Sequence, residues 1–157
     1  MDDLDNIDLK IIAELKVDGR ITITELASRV GLSKTPCQIR MRRLEQNGYI
    51  QGYAAIVDPV KLGAGHIAFV QVTLNDTTSR ALESFNRAVG AIPEVEQCHM
   101  IAGGFDYLLK VRSKDISTYR HVLGERISSL PHVSHTSTFV VKEATDTLPT
   151  AIATRPN

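Results

Sequence analysis

At 157 residues, with 43% hydrophobic and 23% charged side chains, the chain has the composition of a soluble globular protein and can form one medium domain or two small ones. Its 18 basic and 18 acidic residues cancel, which excludes a polycation that holds nucleic acid by bulk charge; any such site must be local. No apolar run approaches the roughly 20 residues of a membrane span, and the acidic start MDDLDNID lacks the basic region of a secretory signal, so a cytoplasmic protein is expected.

Three helix starts follow one another. In LDNIDL, Asp5 is placed to cap a helix with Asp8 in its first turn, and Leu4 to staple against Leu9. In ITITEL, Thr22 and Glu25 have capping-box spacing, with Ile21 and Leu26 at the staple positions. In LSKTPC, Ser33 is the cap, Leu32 and Cys37 form the staple, and Pro36 falls in the first turn, where its missing N–H does no harm. The apolar spacings agree: Leu4, Ile7, Ile11 and Leu15; Leu26, Ala27 and Val30; Cys37, Met41 and Leu44. Gly31 leaves only a tight turn between the second and third helices, which predicts a helix-turn-helix over residues 1–50. After the Asn47-Gly48 stop, YIQGYAAIVDP reads as a short extended wing or tether, and residues 51–63 as the linker.

From residue 64 the period changes. HIAFVQVTLN sets Ala68, Val70, Val72 and Leu74 on one strand face, and SRALESFNRAVGAIP carries Leu82, Phe85, Val89 and Ile92 at helical spacing. VEQCHMIA and DYLLKVR are strand-like on either side of Gly103-Gly104-Phe105. A second helix runs through Ile116, Tyr119, Leu123, Ile127 and Leu130, and VSHTSTFVVK is a last strand. The order βαββαβ predicts a ferredoxin-like domain over 64–144, giving an α+β protein with a loose tail at 145–157.

With Cys37, Met41 and Leu44 inward, the third helix sends Thr35, Gln38, Ile39, Arg42 and Arg43 outward, with Lys34 and Arg40 on its flanks. No acid interrupts from Ser33 to Leu44. Such a face suits the major groove of double-stranded DNA: arginine pairs with guanine edges or phosphate, glutamine with adenine, and isoleucine meets a thymine methyl. The competing account is an ordinary solvated helix face.

An enzyme is not expected. Cys37 occupies a core position, Cys98 and His99 are adjacent in a strand and point to opposite faces, and His132 and His135 likewise alternate, so neither a nucleophile–base pair nor a metal site results.

The stretch LDNIDLKIIAELKVDGRITITELASRVGLSKTPCQIRMRRLEQNGYIQGYAAIVDPVKLG resembles the N-terminal domain of the leucine-responsive regulatory (Lrp/AsnC, feast/famine) family, and HMIAGGFDYLLKVR and STFVVKE resemble its C-terminal domain. The resemblance runs from Leu4 to Glu143 and implies a winged helix-turn-helix transcription regulator of bacteria or archaea. By that resemblance it acts on amino-acid metabolism, without a cofactor, near nucleoid DNA. The resemblance further implies dimers through the C-terminal sheets, assembly to tetramers or octamers, and an amino-acid effector such as leucine. QCHMIAGGFDYLLKVR also looks like the same stretch of proline-catabolism regulators. Ser33 joins the DNA-binding set by its place at the start of the third helix.

The IAGGFDY loop has the chemistry for a zwitterion: N–H groups of a glycine pair for an α-carboxylate, and Asp106 for an α-ammonium. By resemblance, Gly103, Gly104 and Asp106 match the family's effector loop, Thr136 and Thr138 match polar positions on its last strand, and His99 lies on the strand entering the loop. The same residues also fit a plain hairpin turn in which Asp106 caps a backbone amide, and the whole βαββαβ half fits a scaffold for oligomerisation alone.

Overall fold

The computed structural model describes residues 4–144, so the expected loose tail lies outside the described residues. The described chain divides into two compact units, one reaching Ile56 and one spanning Val57–Ala144.

The first unit contains α1 (Asn6–Val17), α2 (Ile23–Val30) and α3 (Lys34–Gln46). Asp5 and Asp8 close a reciprocal capping box at the start of α1. Thr22 caps α2 through the Glu25 N–H, while the Glu25 carboxylate turns to Arg29 instead of reaching back. Gly31 ends α2 in the left-handed conformation at φ 77°, which a residue with a Cβ adopts only with strain. Ser33 stands at the cap position of α3, but its side chain makes no capping bond. Ile11, Leu26, Ala27, Val30, Cys37 and Leu44 form the core, flanked by Leu4, Ile7, Leu15, Ile21, Leu32 and Met41. The expected Leu4–Leu9 staple is half made. Leu4 packs on this core, whereas Leu9 is 50% exposed, on the far side of α1 from Ile11. Residues 51–58 carry no regular secondary structure.

The second unit begins with a tight turn at 59–63, whose N–H groups at Val60 and Lys61 bond to the Asp58 carboxylate. Then come β1 (His66–Leu74), α4 (Ser79–Val89), β2 (Val95–Met100), β3 (Tyr107–Ser113), α5 (Ile116–Val122), a π-helical turn (Leu123–Ile127) and β4 (Val133–Val140). The strands form one antiparallel sheet in the order β2-β3-β1-β4. This is the βαββαβ arrangement read from the sequence. Strands β2 and β3, consecutive in the chain, are not both central: β2 is an edge, which is why most of its residues are exposed on both faces.

One face of the sheet is covered. Ala68, Val70, Val72 and Leu74 of β1 and Tyr107, Leu109 and Val111 of β3 pack against Phe85 and Val89 of α4 and Tyr119 and Val122 of α5. The Phe85 and Tyr107 rings lie 4.4 Å apart between centroids. The second helix departs from its expected pattern in two places: Ile116 is 47% exposed, and Val122 is buried. For Val122 the cause is the π-helical turn, which inserts one residue between Val122 and Ile127 so that both reach the core from a spacing of five; Ile116 stands in the first turn, ahead of it. A strict 3.6-residue period cannot register that insertion.

Among the described residues of this unit, no helix covers the opposite face. By register it carries Ile67, Phe69 and Gln71 of β1, Leu108, Lys110 and Arg112 of β3, His99 of β2, and Ser137 and Phe139 of β4. Phe69 and Phe139 are directly paired, and Phe139 is 52% exposed. Lys110 and Arg112 share Glu96 as ion-pair partner, which leaves the apolar residues of this face without charge competition from those two cations.

Candidate functional site

On α3, Lys34, Thr35, Ile39 and Arg42 are exposed, Ile39 at 63%, and Gln38 is half-buried beside them. A large aliphatic residue standing alone on an otherwise polar helix face contributes nothing to this unit's core. It fits contact with a base-edge methyl.

The remaining two arginines are held. Arg40 Nη1 donates to Asp5 Oδ2 at 2.6 Å and to Asp8 Oδ1 at 2.9 Å, and Arg43 Nη2 donates to Asp8 Oδ2 at 2.5 Å. Asp8 is fully buried, and its carboxylate also accepts the Asp5 N–H. A buried carboxylate needs such partners, and here two guanidiniums and a backbone amide supply them. Asp5 titrates below the ordinary 3.8, first because its carboxylate accepts the Asp8 N–H and then because Arg40 donates to it. Reading α3 alone misses this cluster. The acids are on α1, more than thirty residues upstream, and Asp5 and Asp8 already have complete local explanations as capping residues. The signal available in the sequence is the surplus: the capping box needs one oxygen from each carboxylate and leaves the other free.

In the second unit, the loop at 101–106 joins β2 to β3. Asp106 ties it to the end of β1: its Oδ2 accepts the Leu74 N–H at 2.7 Å, its own N–H donates to the Val72 carbonyl at 3.0 Å, and its carbonyl accepts the Ile101 N–H at 2.8 Å. The carboxylate thus caps a backbone amide, and one of its oxygens is so employed. Neither Gly103 nor Gly104 has a positive φ. A Cβ at Gly103 would meet Ile101 Cγ2 at 3.5 Å, an ordinary contact, and one at Gly104 would stand in open space. Among the described residues, nothing therefore requires glycine at either position.

Thr136 pairs with Val72, on the side of β1 opposite Asp106, and Thr138 pairs with Val70. The Thr138 hydroxyl is engaged by the Tyr119 hydroxyl at 2.5 Å. Water excluded from around the Tyr119 phenol raises its pKa, so it stays a neutral hydroxyl partner. His99 pairs with Leu108 on the uncovered face of the edge strand β2, away from Thr136 and Thr138 in both face and edge. One chain brings Asp106 and Thr136 to the same end of β1, and leaves His99 and Thr138 elsewhere.

Cys98 and His99 stand opposite Leu109 and Leu108, on the two faces of the sheet. Cys37 is buried, and that burial pushes its thiol up, away from thiolate reactivity. Among the described residues no three His, Cys, Asp or Glu side chains gather as metal ligands, and no helix is long and apolar enough to cross a membrane. The sequence reading also passed over a groove of about 660 Å³ in the first unit, between the end of α1 and residues 52–56, lined by Leu15, Val17, Gly19, Tyr53 and Ile56 among others. Tyr53 beside it donates its hydroxyl to Glu45 Oε1 at 3.0 Å.

Comparison with known proteins agrees with both units. Residues 4–51 match a family described as winged helix-turn-helix DNA-binding, and residues 67–149 match the Lrp/AsnC ligand binding domain. The chain is 62% identical over 143 residues to a proline dehydrogenase transcriptional activator of Rhizobium radiobacter, covering 91% of this chain and 92% of that protein. It is 51% identical over 141 residues to the leucine-responsive regulatory protein of Escherichia coli, covering 90% and 86%. Among solved structures, an AsnC family transcriptional regulator from Agrobacterium tumefaciens superposes with a TM-score of 0.86 at 30% identity, covering 92% and 94%. A transcriptional regulator of Neisseria meningitidis solved in complex with L-Met superposes with a TM-score of 0.82 at 33% identity, covering 94% and 97%. With a winged helix-turn-helix match over one unit, a ligand-binding-domain match over the other, and close likeness to regulators over nine-tenths of its length, the chain belongs to the Lrp/AsnC family of DNA-binding transcription regulators.

Proposed function

We propose that the protein controls amino-acid catabolism in response to an amino acid, with proline as the effector and the proline dehydrogenase gene as a target. In this reading residues 1–50 read DNA, 51–63 tether, and 64–144 assemble copies and sense the effector. Lys34, Thr35, Gln38, Ile39 and Arg42 meet the duplex, with Ser33 at the helix start. The α-carboxylate lies on the Gly103-Gly104 backbone, and the ammonium on the Asp106 oxygen that does not cap Leu74. The observation that carries the sensing half is the glycine pair. The fold leaves open space at Gly104 and ordinary contact at Gly103, so a ligand can approach this backbone without meeting a side chain. The Lrp/AsnC ligand-binding match, the L-Met complex of the Neisseria relative and the activator name of the Rhizobium relative support this reading.

A second copy completes both assembly and site. The uncovered face, with Ile67, Phe69, Leu108 and Phe139, is an apolar patch of the kind that marks an interface. His99 on that face and the Thr136–Thr138 edge serve the pocket only when another copy brings an edge or face to them. Fluorescence anisotropy on duplex DNA from upstream of the proline dehydrogenase gene, against scrambled duplex, tests the reading with proline, leucine and methionine added in turn. Preference for the upstream duplex that shifts with proline is expected. Preference unaffected by any amino acid would reduce the second unit to a scaffold.

A further inference from the structure

We infer that Asp5 sets the specificity of DNA reading by holding Arg40 away from phosphate, an inference that rests on α3 being the DNA-reading helix. The four cations of α3 are not equivalent. Lys34 and Arg42 are exposed, whereas Arg40 is paired with two carboxylates and Arg43 with one. Asp5, Asp8, Arg40 and Arg43 form a cluster of two negative and two positive charges, neutral as a whole. Arg40 lies on the flank of α3 that borders the N-terminus of α1, beside the exposed Lys34 and Arg42, and phosphate contacts in protein–DNA complexes come largely from arginine and lysine. A free guanidinium at that place would add sequence-independent phosphate attraction, which tightens binding to every duplex equally.

The pairing has two locks of different strength. Asp8 is fully buried, is fixed by the Asp5 N–H, and cannot be changed without disturbing the unit. Asp5 has a side chain 49% exposed, and it spends one oxygen on the Ile7 and Asp8 N–H groups and the other on Arg40. The second oxygen does nothing for the helix cap. It serves only to hold Arg40.

Asp5→Asn separates the two duties, because asparagine caps a helix as well as aspartate does while offering no charge to Arg40. Affinity for a random-sequence duplex is measured as a function of salt for the wild type, Asp5→Asn, Asp5→Asn with Arg40→Gln, and Arg42→Ala, with thermal melting as the check on folding. Asp5→Asn is expected to bind random duplex more tightly and to lower the ratio of upstream to random affinity. Its salt slope should steepen by at most about 0.9, the value of one full phosphate contact, because Asp8 still competes for Arg40; its advantage then shrinks by up to roughly threefold between about 50 and about 200 mM salt. The double variant is expected to return to the wild-type slope, which a loss of helix stability would not produce. An Asp5→Asn protein with an unchanged or shallower slope overturns the inference. If Arg42→Ala still weakens binding in that case, the DNA-reading role of α3 stands; if it too leaves binding unchanged, that role falls as well.

Discussion

Asp106 has two duties in the proposed scheme, and substitution separates them. Its Oδ2 accepts the N–H of Leu74, a residue 7% exposed, so Asp106→Ala orphans a backbone donor in poor contact with water. Hydrogen bonds to a charged acceptor contribute about 1.5–3 kcal/mol when buried; with Asp106 itself half-buried, a loss of about 1–2 kcal/mol is expected. Asp106→Asn keeps an oxygen for the Leu74 N–H and removes only the charge, so its stability should stay within about 0.5 kcal/mol of the wild type. Its effector response should not survive, because the ammonium loses a charge-assisted partner. The same 1.5–3 kcal/mol then appears as an affinity loss of about ten- to a hundredfold. Urea denaturation measures the first quantity, and amino-acid titration of DNA-bound protein, followed by anisotropy, measures the second. An Asp106→Asn protein that responds to the amino acid like the wild type would confine Asp106 to its hairpin role.

Other outcomes follow from the packing and the charges. Phe85→Ala removes a ring with 0% exposure that stacks on Tyr107, and should destabilise the second unit by about 3–5 kcal/mol. Limited proteolysis should then cut within Val57–Ala144 and spare the helices of the first unit, whose core is separate. Tyr119→Phe deletes the bond to Thr138 and should cost about 1 kcal/mol in a denaturation midpoint; if Thr138 also lines the effector pocket, effector affinity changes with it. Asp5, held below the ordinary 3.8 by the Asp8 N–H and Arg40, contributes stability above that value and loses it as pH falls through its lower folded one. The acid limb of a stability profile should therefore be shallower in Asp5→Asn than in the wild type.

The architecture was legible because local signals agreed with one another. Three capping patterns marked three helices, and a change of period from 3.6 to 2 marked the boundary of the sheet. The misreadings came from non-local facts. Leu9 satisfies staple spacing, but the side of α1 that packs on this unit's core carries Ile11, and Leu9 is left exposed. The engagement of Arg40 and Arg43 depends on where α1 packs against α3, which no window of α3 contains. For the sensing loop, chemistry was readable and geometry was not. The glycine pair offered N–H groups for a carboxylate, and the structure shows no positive φ at either position, ordinary contact beside Gly103 and open space beside Gly104.

The π-helical turn at Leu123–Ile127 makes this helix tolerant in length. Deleting Gly124 would leave Ile127 four positions from Val122 in a regular α-helix, still over the sheet, and would remove a poor helix former at the same time. The covered face of the sheet has no such slack. Removing one residue from β1 would exchange the buried row Ala68, Val70, Val72 and Leu74 for its neighbours. A single-residue deletion therefore has a place in this fold where it does not shift the buried row, in the helix between Val122 and Ile127.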